Sequence, residues 1–184
     1  IDMGGQTLKL MRDLPHFGTI IMPDEQGFEE QVQQLWRQMN EEIDRRKRKF
    51  ADAGISSLYD YNAQHPNDIT PAILVMIDNF GEFIEAFGKD ANPDDETNML
   101  YQFIVLARQA RSYGIHILIT VPRHNTLNNN LHSLFTERLV LRMADADDYH
   151  SVLGSRVPEL DDIPGRGYVR YGRGEPLEFQ VAIA

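Results

Sequence analysis

Two short apolar runs constrain the fold of this sequence more than any other feature. One is Ile73–Ile77, which Asp78 follows, and the other is Ile115–Ile119, which Thr120 follows. Unbroken apolar runs of this length are typical of strands that are buried on both faces. Helical patterns separate the two runs, and alternation of strands with helices favours right-handed crossovers and a mostly parallel sheet covered on both sides. The sequence therefore predicts an α/β fold.

The remaining elements are predicted from hydrophobic periodicity and from helix start and stop signals. Apolar residues between positions 28 and 50 recur at helical spacing, so we expect one long amphipathic helix with Asp24 as its N-cap and Gly54 as its stop. Shorter helices are expected at residues 56–62, 99–113, 131–135 and 147–153. Further strands are expected at residues 19–22, 138–142, 168–171 and 177–183.

Size and composition restrict the possible classes of function. The chain has 184 residues, the size of one domain, and its formal net charge of −10 argues against a surface that binds nucleic acid or anionic membranes as a whole. It contains no cysteine, so disulfides, thiol nucleophiles and cysteine-ligated zinc are excluded. The one basic cluster, residues 45–49, is interpreted as a solvated helix face that complements the helix dipole, with nucleic-acid contact as the alternative.

Candidate site residues lie where the two apolar runs end. Ligands of open parallel sheets bind outside the carboxyl ends of the strands, so Asp78, Thr120 and the Pro122-Arg123 turn are candidates. An apolar run followed by Asp is the Walker B pattern, in which the carboxylate holds the water shell of a nucleotide-bound Mg²⁺. A strand-terminal Asp is as often a helix N-cap, and both interpretations stay open at this point.

The phosphate-binding motif that usually accompanies a Walker B strand, G-x-x-x-x-G-K-[ST], does not occur in this sequence. In such folds the motif follows the first strand, whereas this chain opens on Ile-Asp-Met-Gly-Gly, which is typical of a strand end that leads into a turn. We therefore expect either that the chain is a fragment that begins after the first strand and its phosphate loop, or that the motif has been lost.

Two further residues each have a structural and a functional interpretation. Arg166, between Gly165 and Gly167, belongs to a tight turn before a strand, or it presents its guanidinium to the phosphate of a neighbouring subunit. His116 lies inside a predicted buried strand, which fits a hydrogen-bonded core histidine better than a metal ligand.

Several short blocks of sequence, in their order and spacing, resemble the FtsK/SpoIIIE family of P-loop motor ATPases over nearly the whole chain. They are Asp2-Met3-Gly4-Gly5, Leu14-Pro15-His16, residues 45–51, Ala53-Gly54-Ile55, Tyr61-Asn62, residues 73–78, 106–111 and 114–116, residues 136–139 and Gly165-Arg166-Gly167. The resemblance implies a RecA-like three-layer fold. It also implies that residues 1–184 are a single partial ATPase domain that starts after the Walker A motif.

The resemblance assigns roles to five positions. Asp78 would order Mg²⁺ through water, and Thr120 and Arg123 would contact or sense the nucleotide. Arg138 and Arg166 are the candidates for arginines that reach the nucleotide of a neighbouring subunit. ATP and Mg²⁺ are therefore the expected cofactors of the complete domain, with neither expected on this chain alone.

The sequence also departs from the pattern of the DNA-pumping members. They carry Asp-Glu at the end of the Walker B strand, where this chain has Asp78-Asn79, and an amide cannot accept a proton as a general base. Asn79 therefore marks a degenerate base position, and we expect this chain alone to be inactive as an ATPase. The segment 120–123, Thr-Val-Pro-Arg, is more similar to the FtsK-like domains of the type VII secretion ATPase EccC.

The resemblance implies three possible functions. The first is a degenerate or regulatory ATP-binding domain of a type VII secretion-like ATPase, tethered to the cytoplasmic face of the inner membrane through regions outside this chain. Its partners would be sister ATPase domains or a homo-oligomeric ring, and a protein substrate. The second is an ATP-driven translocase of double-stranded DNA, which the acidic residues Asp90, Asp94, Asp95 and Glu96 disfavour because they would repel phosphate. The third is a RecA-like interaction module that binds no nucleotide.

Overall fold

The computed structural model describes residues 1–88, 97–171 and 174–182. The chain divides into two compact units, Ile1–Pro122 and Arg123–Ala184. Each unit combines helices with a small sheet, which confirms the α/β class. That residues 1–184 form a single partial ATPase domain stays a prediction. The acidic residues 90–96 and the end of the strand predicted at 177–183 lie outside the described residues.

The first unit contains one parallel pair of strands and the longest helix. Its strands are β1 (Ile73–Ile77) and β2 (Ile115–Ile119). Its α-helices are α1 (Phe28–Asp52), α2 (Leu58–Gln64), α3 (Phe80–Phe87) and α4 (Met99–Ala110). Two 3₁₀ turns, Thr7–Met11 and Arg111–Tyr113, complete it. Within the described residues no helix is long and apolar enough to cross a membrane.

The parallel register places both strand ends at one edge of the sheet. Ile73 pairs with Ile115 and Ile77 pairs with Ile119, and an isolated parallel bridge joins Asp2 to Asp78 on the other side of β1. The prediction of parallel strands is confirmed for this pair. The opening residues, predicted as a strand end, form this isolated bridge and not a strand.

The prediction that β1 and β2 are buried on both faces is wrong. Side chains alternate along a strand, and Val75 and Ile115 are buried on one face. Leu74 and Leu118 share the opposite face and are 58% and 40% exposed. His116 lies on that same face, half-buried, and its Nε2 is 3.2 Å from the hydroxyl of Tyr59. The predicted hydrogen bond of His116 is therefore present, but the side chain is not in the core.

The helix α1 begins later than the sequence suggests. Its N-cap is Gly27, in the left-handed region at φ 78°, and not Asp24. The predicted strand at residues 19–22 is absent as a strand, although the carbonyl of Ile21 accepts a hydrogen bond from the backbone N–H of Asp2 at 2.9 Å. The apolar stripe of α1 packs as predicted, with Trp36 fully buried against the rings of Phe83 and Phe103.

The basic cluster of residues 45–49 is only partly a solvated face. Arg46 is 1% exposed, because position 46 falls on the same helical stripe as buried Ile43 and Phe50. Its guanidinium donates to the Glu42 carboxylate at 2.6 Å. It also donates to the backbone carbonyls of Tyr113 at 2.7 Å and Pro71 at 2.8 Å. We call Glu42, Arg46 and these two carbonyls the Arg46 clamp, because they join α1 to the segments that precede β1 and β2.

The second unit is built on an antiparallel sheet. Its strands are β3 (Arg138–Leu141), β4 (Arg166–Arg170) and β5 (Leu177–Gln180), in the order β3-β4-β5. Its helical segments are His124–Thr126, α5 (Asn129–His132) and α6 (Ala146–Leu153). Among the described residues, parallel pairing is therefore confined to β1, β2 and the Asp2–Asp78 bridge, and these later strands pair antiparallel. A parallel connection needs a crossover of about a dozen residues or more, and the few residues between β4 and β5 suit a hairpin.

Candidate functional site

The side chains of Asp78 and Thr120 meet at the carboxyl ends of β1 and β2. The hydroxyl of Thr120 donates to Oδ1 of Asp78 at 2.6 Å. Asp78 is half-buried and Thr120 is exposed, so the pair is accessible from solvent. Adjacent parallel strands end at the same edge, and this is why two residues separated by 42 positions form a hydrogen bond.

Asn79 connects this pair to the helix that follows. Its backbone is in the left-handed region at φ 53°, a conformation that Asn tolerates better than most residues. Its N–H donates to the hydroxyl oxygen of Thr120 at 2.8 Å, and the N–H of Phe80 donates to the carbonyl of Thr120 at 2.8 Å. The N-cap position of α3 is occupied by Asn79 and not by Asp78. The carboxylate of Asp78 is therefore not a helix cap.

Asp2 is a second carboxylate beside the strand ends, and it is 2% exposed. Its Oδ1 accepts from the N–H groups of Gly4, Gly5 and Gln6 at 3.1–3.2 Å, and its Oδ2 accepts from the N–H of Leu8 at 2.9 Å. Burial alone would raise the pKa of Asp2, but these four backbone donors hold it below its ordinary value. Sequence reasoning assigned no role to this residue. An Asp directly before a Gly-rich turn is the signal that could have indicated it.

The turn that Asp2 organises passes close to Asp78. A Cβ atom at Gly4 would lie 2.7 Å from Oδ2 of Asp78 and 3.1 Å from Cβ of Asn79, so no larger residue fits there without a shift. The N–H of Met3 donates to the carbonyl of Asp78 at 3.2 Å. We call Asp2, Gly4, Asp78, Asn79 and Thr120 the strand-end cluster.

The strand-end cluster suits a hydrated Mg²⁺ ion. Mg²⁺ keeps several waters and is typically bound through one or two carboxylates together with substrate phosphates. Asp78 supplies an accessible carboxylate, and the hydroxyl of Thr120 lies beside it. Asp2 is not available as a ligand, because both of its oxygens accept backbone hydrogen bonds inside the protein.

The three predicted arginines lie in the second unit. Arg123 is exposed and precedes the 3₁₀ turn His124–Thr126. Arg138 donates to the backbone carbonyls of Phe135, Val152 and His132. Arg166 donates to Glu178 at 2.7 Å and to Gln180 at 3.2 Å. Arg138 and Arg166 therefore have structural contacts within their own unit, and a role toward a neighbouring nucleotide stays a prediction for all three.

The sequence is similar to known secretion proteins. The sequence profile of the FtsK/SpoIIIE family matches residues 1–163. The ESX secretion system protein YukB of Bacillus subtilis is 30% identical over 165 residues, which cover 90% of this chain and 10% of YukB. The ESX secretion system protein EccC of Geobacillus thermodenitrificans is 29% identical over 169 residues, or 92% of this chain and 10% of that protein. The chain thus spans about a tenth of the length of these relatives.

Solved structures agree with the sequence comparison. ATPases 2 and 3 of EssC from Geobacillus thermodenitrificans align with a TM-score of 0.76 and 26% identity, over 96% of this chain and 31% of that one. The cytoplasmic domain of the Thermomonospora curvata type VII secretion ATPase EccC aligns with a TM-score of 0.69 and 27% identity, over 99% of this chain and 21% of that one.

A third structure shows the shared fold alone. It is Thermomonospora curvata EccC (ATPases 2 and 3) in complex with a signal sequence peptide, with a TM-score of 0.70 and 22% identity over 99% of this chain and 31% of that one. These structural relatives confirm the predicted ATPase fold class.

Proposed function

The chain belongs to the FtsK/SpoIIIE family, and we propose that it is a degenerate or regulatory ATP-binding domain of a type VII secretion ATPase. It closely matches the EccC and EssC secretion ATPases in both sequence and fold. This similarity favours secretion over DNA translocation. The observation that carries the ATP-binding role is the hydrogen-bonded pair of Asp78 and Thr120 at the ends of two parallel strands.

Each residue of the pair has a distinct task in this proposal. A bound Mg²⁺ ion would neutralise charge on the ATP phosphates. Asp78 would orient the water shell of that ion through its accessible carboxylate. In this structure the Thr120 hydroxyl donates to Oδ1 of Asp78. With nucleotide bound it would donate to a phosphate oxygen instead, so Thr120 would serve as a sensor of the nucleotide. Arg123 is exposed, as a nucleotide-contacting arginine must be.

Hydrolysis by this domain should be slow. A general base must take a proton from the attacking water, and the side chain of Asn79 cannot do so at neutral pH. Asn79 instead contributes its backbone N–H to Thr120. The domain therefore fits a regulatory role, in which nucleotide binding matters more than turnover.

We propose a protein substrate and a multi-domain assembly for the protein. The related EccC structure contains a signal sequence peptide and more than one ATPase domain. The basic cluster also supports this choice over DNA, because carboxylates contact four of its five cations. Glu42 contacts Arg45 and Arg46, Asp44 contacts Lys47, and Asp68 contacts Lys49. Sister ATPase domains or further copies would be its partners, and the cytoplasmic face of the inner membrane its location.

Calorimetric titration of Mg·ATP into the full protein tests the ATP-binding role. Asp78→Ala should weaken binding by about 10- to 100-fold, the usual cost of losing a group that acts on a metal through its outer shell. Asp13→Ala is the matched control, because Asp13 is exposed in the same unit and its loss removes the same charge.

Three results would contradict the proposal. Equal binding by the wild type and Asp78→Ala would remove Asp78 from the site. No binding by any form would support the module that binds no nucleotide. Salt-dependent binding of duplex DNA at physiological ionic strength would support the translocase instead.

A further inference from the structure

The geometry points to Asp2 as a positioning residue for the carboxylate of Asp78. Asp2 fixes the turn of residues 4–8. This turn packs beside Oδ2 of Asp78, the carboxylate oxygen that Thr120 does not contact. This inference rests on the proposed function, because the ligand that benefits from a fixed Asp78 is the Mg²⁺ ion of bound ATP. It adds a residue that lies outside the Walker B strand.

The first step is the dependence of the turn on the charge of Asp2. Gly5 has φ 131°, which glycine adopts without strain, whereas Gln6 lies in the left-handed region at φ 69°. That region disfavours residues other than glycine, so the conformation of Gln6 needs compensation. The N–H of Gln6 donates to Oδ1 of Asp2 at 3.1 Å, which supplies it. Hydrogen bonds to a charged acceptor are about twice as strong as neutral ones, and Asp2 accepts four of them.

The second step is the contact between the turn and Asp78. Gly4 lies so close to Oδ2 of Asp78 that even a methyl group there would come within 2.7 Å. The other oxygen, Oδ1, accepts the hydroxyl of Thr120 at 2.6 Å. The Asp78 carboxylate therefore lies between the Thr120 hydroxyl on one side and the turn at Gly4 on the other, so a shift of the turn changes the space that is open to it.

The third step is the chemical value of this restriction. A carboxylate that orders water around Mg²⁺ acts through its orientation, and residues that orient such groups typically change metal affinity by about 10- to 100-fold when mutated. Asp2 touches neither the ion nor the nucleotide in this scheme. It acts on Asp78 only through the backbone of residues 4–8.

Hydrogen–deuterium exchange of the full protein without nucleotide tests the positioning itself. In Asp2→Asn an NH2 group, which cannot accept a hydrogen bond, replaces one carboxylate oxygen. The backbone N–H groups of residues 4–8 that donate to Asp2 should therefore exchange faster. The N–H of Asn79, which donates to Thr120, should exchange faster in the same variant, because its partner is held by Asp78.

Two glycine variants separate positioning from general loss of stability. Gly4→Ala leaves Asp2 intact but forces Oδ2 of Asp78 to move, so it should also speed exchange at Asn79. Gly18→Ala is the control, because a Cβ atom at Gly18 meets nothing within 4 Å, and its exchange should equal that of the wild type.

Binding of ATP with and without Mg²⁺ completes the test. Asp2→Asn and Gly4→Ala should weaken Mg·ATP binding by about 10- to 100-fold and metal-free ATP binding much less. In the Asp78→Ala background Asp2→Asn should add little, because both act on one group. Faster exchange at residues 4–8 with unchanged exchange at Asn79 would overturn the role of Asp2. Absence of Mg·ATP binding in the wild type would instead contradict the proposed function, and the exchange data would still decide the role of Asp2.

Discussion

The Arg46 clamp and the strand-end cluster lie in the same unit, and each contains a carboxylate. The two groups differ in how accessible the carboxylate oxygens are to a ligand. In the clamp, Glu42 binds both Arg45 and Arg46, and Arg46 is 1% exposed with two carbonyls as further partners. In the strand-end cluster, Asp78 is half-buried and has the Thr120 hydroxyl as its partner. A buried, fully paired charge stabilises one arrangement, whereas an accessible carboxylate with a neutral partner can bind a cation.

The same contrast separates the two carboxylates within the strand-end cluster. Asp2 and Asp78 face each other across a parallel bridge. Asp2 is buried, and backbone N–H groups take up both of its oxygens. Residue type and proximity to the strand ends therefore do not separate a candidate ligand from a structural carboxylate. The number of acceptor positions left open to solvent separates them.

The largest expected effect is the removal of the buried cation of the clamp. Arg46→Ala leaves the carbonyls of Tyr113 and Pro71 without this donor and leaves Glu42 with Arg45 alone. Loss of one partner of a buried ion pair typically costs about 3–5 kcal/mol. Urea unfolding of the chain measures the change. Trp36 is the single tryptophan and is buried in this unit, so its fluorescence reports on residues 1–122.

Arg45→Ala is the matched control for that substitution. Arg45 contacts the same carboxylate but its side chain is 54% exposed, and exposed ion pairs are worth about 0.2–1 kcal/mol. Equal losses in the two variants would contradict the distinction between a buried clamp and a surface pair.

The next largest effect is expected in the pH dependence of the free energy of unfolding, through the carboxylate of Glu42. Hydrogen bonds from Arg45, and then from Arg46, outweigh burial and hold the pKa of Glu42 at about 2, below its ordinary 4.5. A lowered carboxylate pKa stabilises the fold above pH 4.5, and this contribution is lost as the pH falls toward 2. The ion pairs of Glu42 with Arg45 and Arg46 therefore add to the stability of the fold at neutral pH.

Glu42→Gln removes this titrating group. The difference in free energy of unfolding between the wild type and this variant should be largest near neutral pH and should shrink as the pH approaches 2. Asp2 titrates in both proteins and cancels in the difference. A difference that stays constant with pH would show that Glu42 does not carry the effect.

A smaller effect is expected at the strand ends. Thr120→Val removes the hydroxyl that donates to Asp78 and accepts from the N–H of Asn79. Because the site is exposed, the loss should be about 1 kcal/mol in urea unfolding. Thr120→Ser keeps the hydroxyl and should stay close to the wild type. A loss of unfolding free energy as large as that of Arg46→Ala would show that the strand-end cluster stabilises the fold as strongly as the Arg46 clamp does.

The sequence predicted the strand ends because the relevant signals are local. Each apolar run is continuous and stops at a polar residue, so Asp78 and Thr120 could be placed at one sheet edge before any coordinates were known. The order of short motifs then predicted the family, which is confirmed.

What the sequence could not predict depends on contacts between distant segments. A helix turns by 100° per residue, so the sequence alone could have placed position 46 on the stripe of Ile43 and Phe50. It could not show that the distant carbonyls of Tyr113 and Pro71 accept from Arg46 there. The role of Asp2 depends on the turn of residues 4–8 and on Gly4 approaching Asp78. The antiparallel sheet of the second unit was missed because the rule for alternating strands and helices was extended to the strands predicted at 168–171 and 177–183, whose short connection suits a hairpin.

The division of roles between the two carboxylates is tested most directly by two measurements on Asp78→Ala and Glu42→Gln in the full protein. They are affinity for Mg·ATP by calorimetry and protection of residues 1–122 by hydrogen–deuterium exchange. Asp78→Ala should lose affinity by about 10- to 100-fold and keep its protection. Glu42→Gln should keep its affinity and lose protection. Parallel losses of affinity and protection in both variants would contradict the claim that one carboxylate serves the ligand and the other the fold.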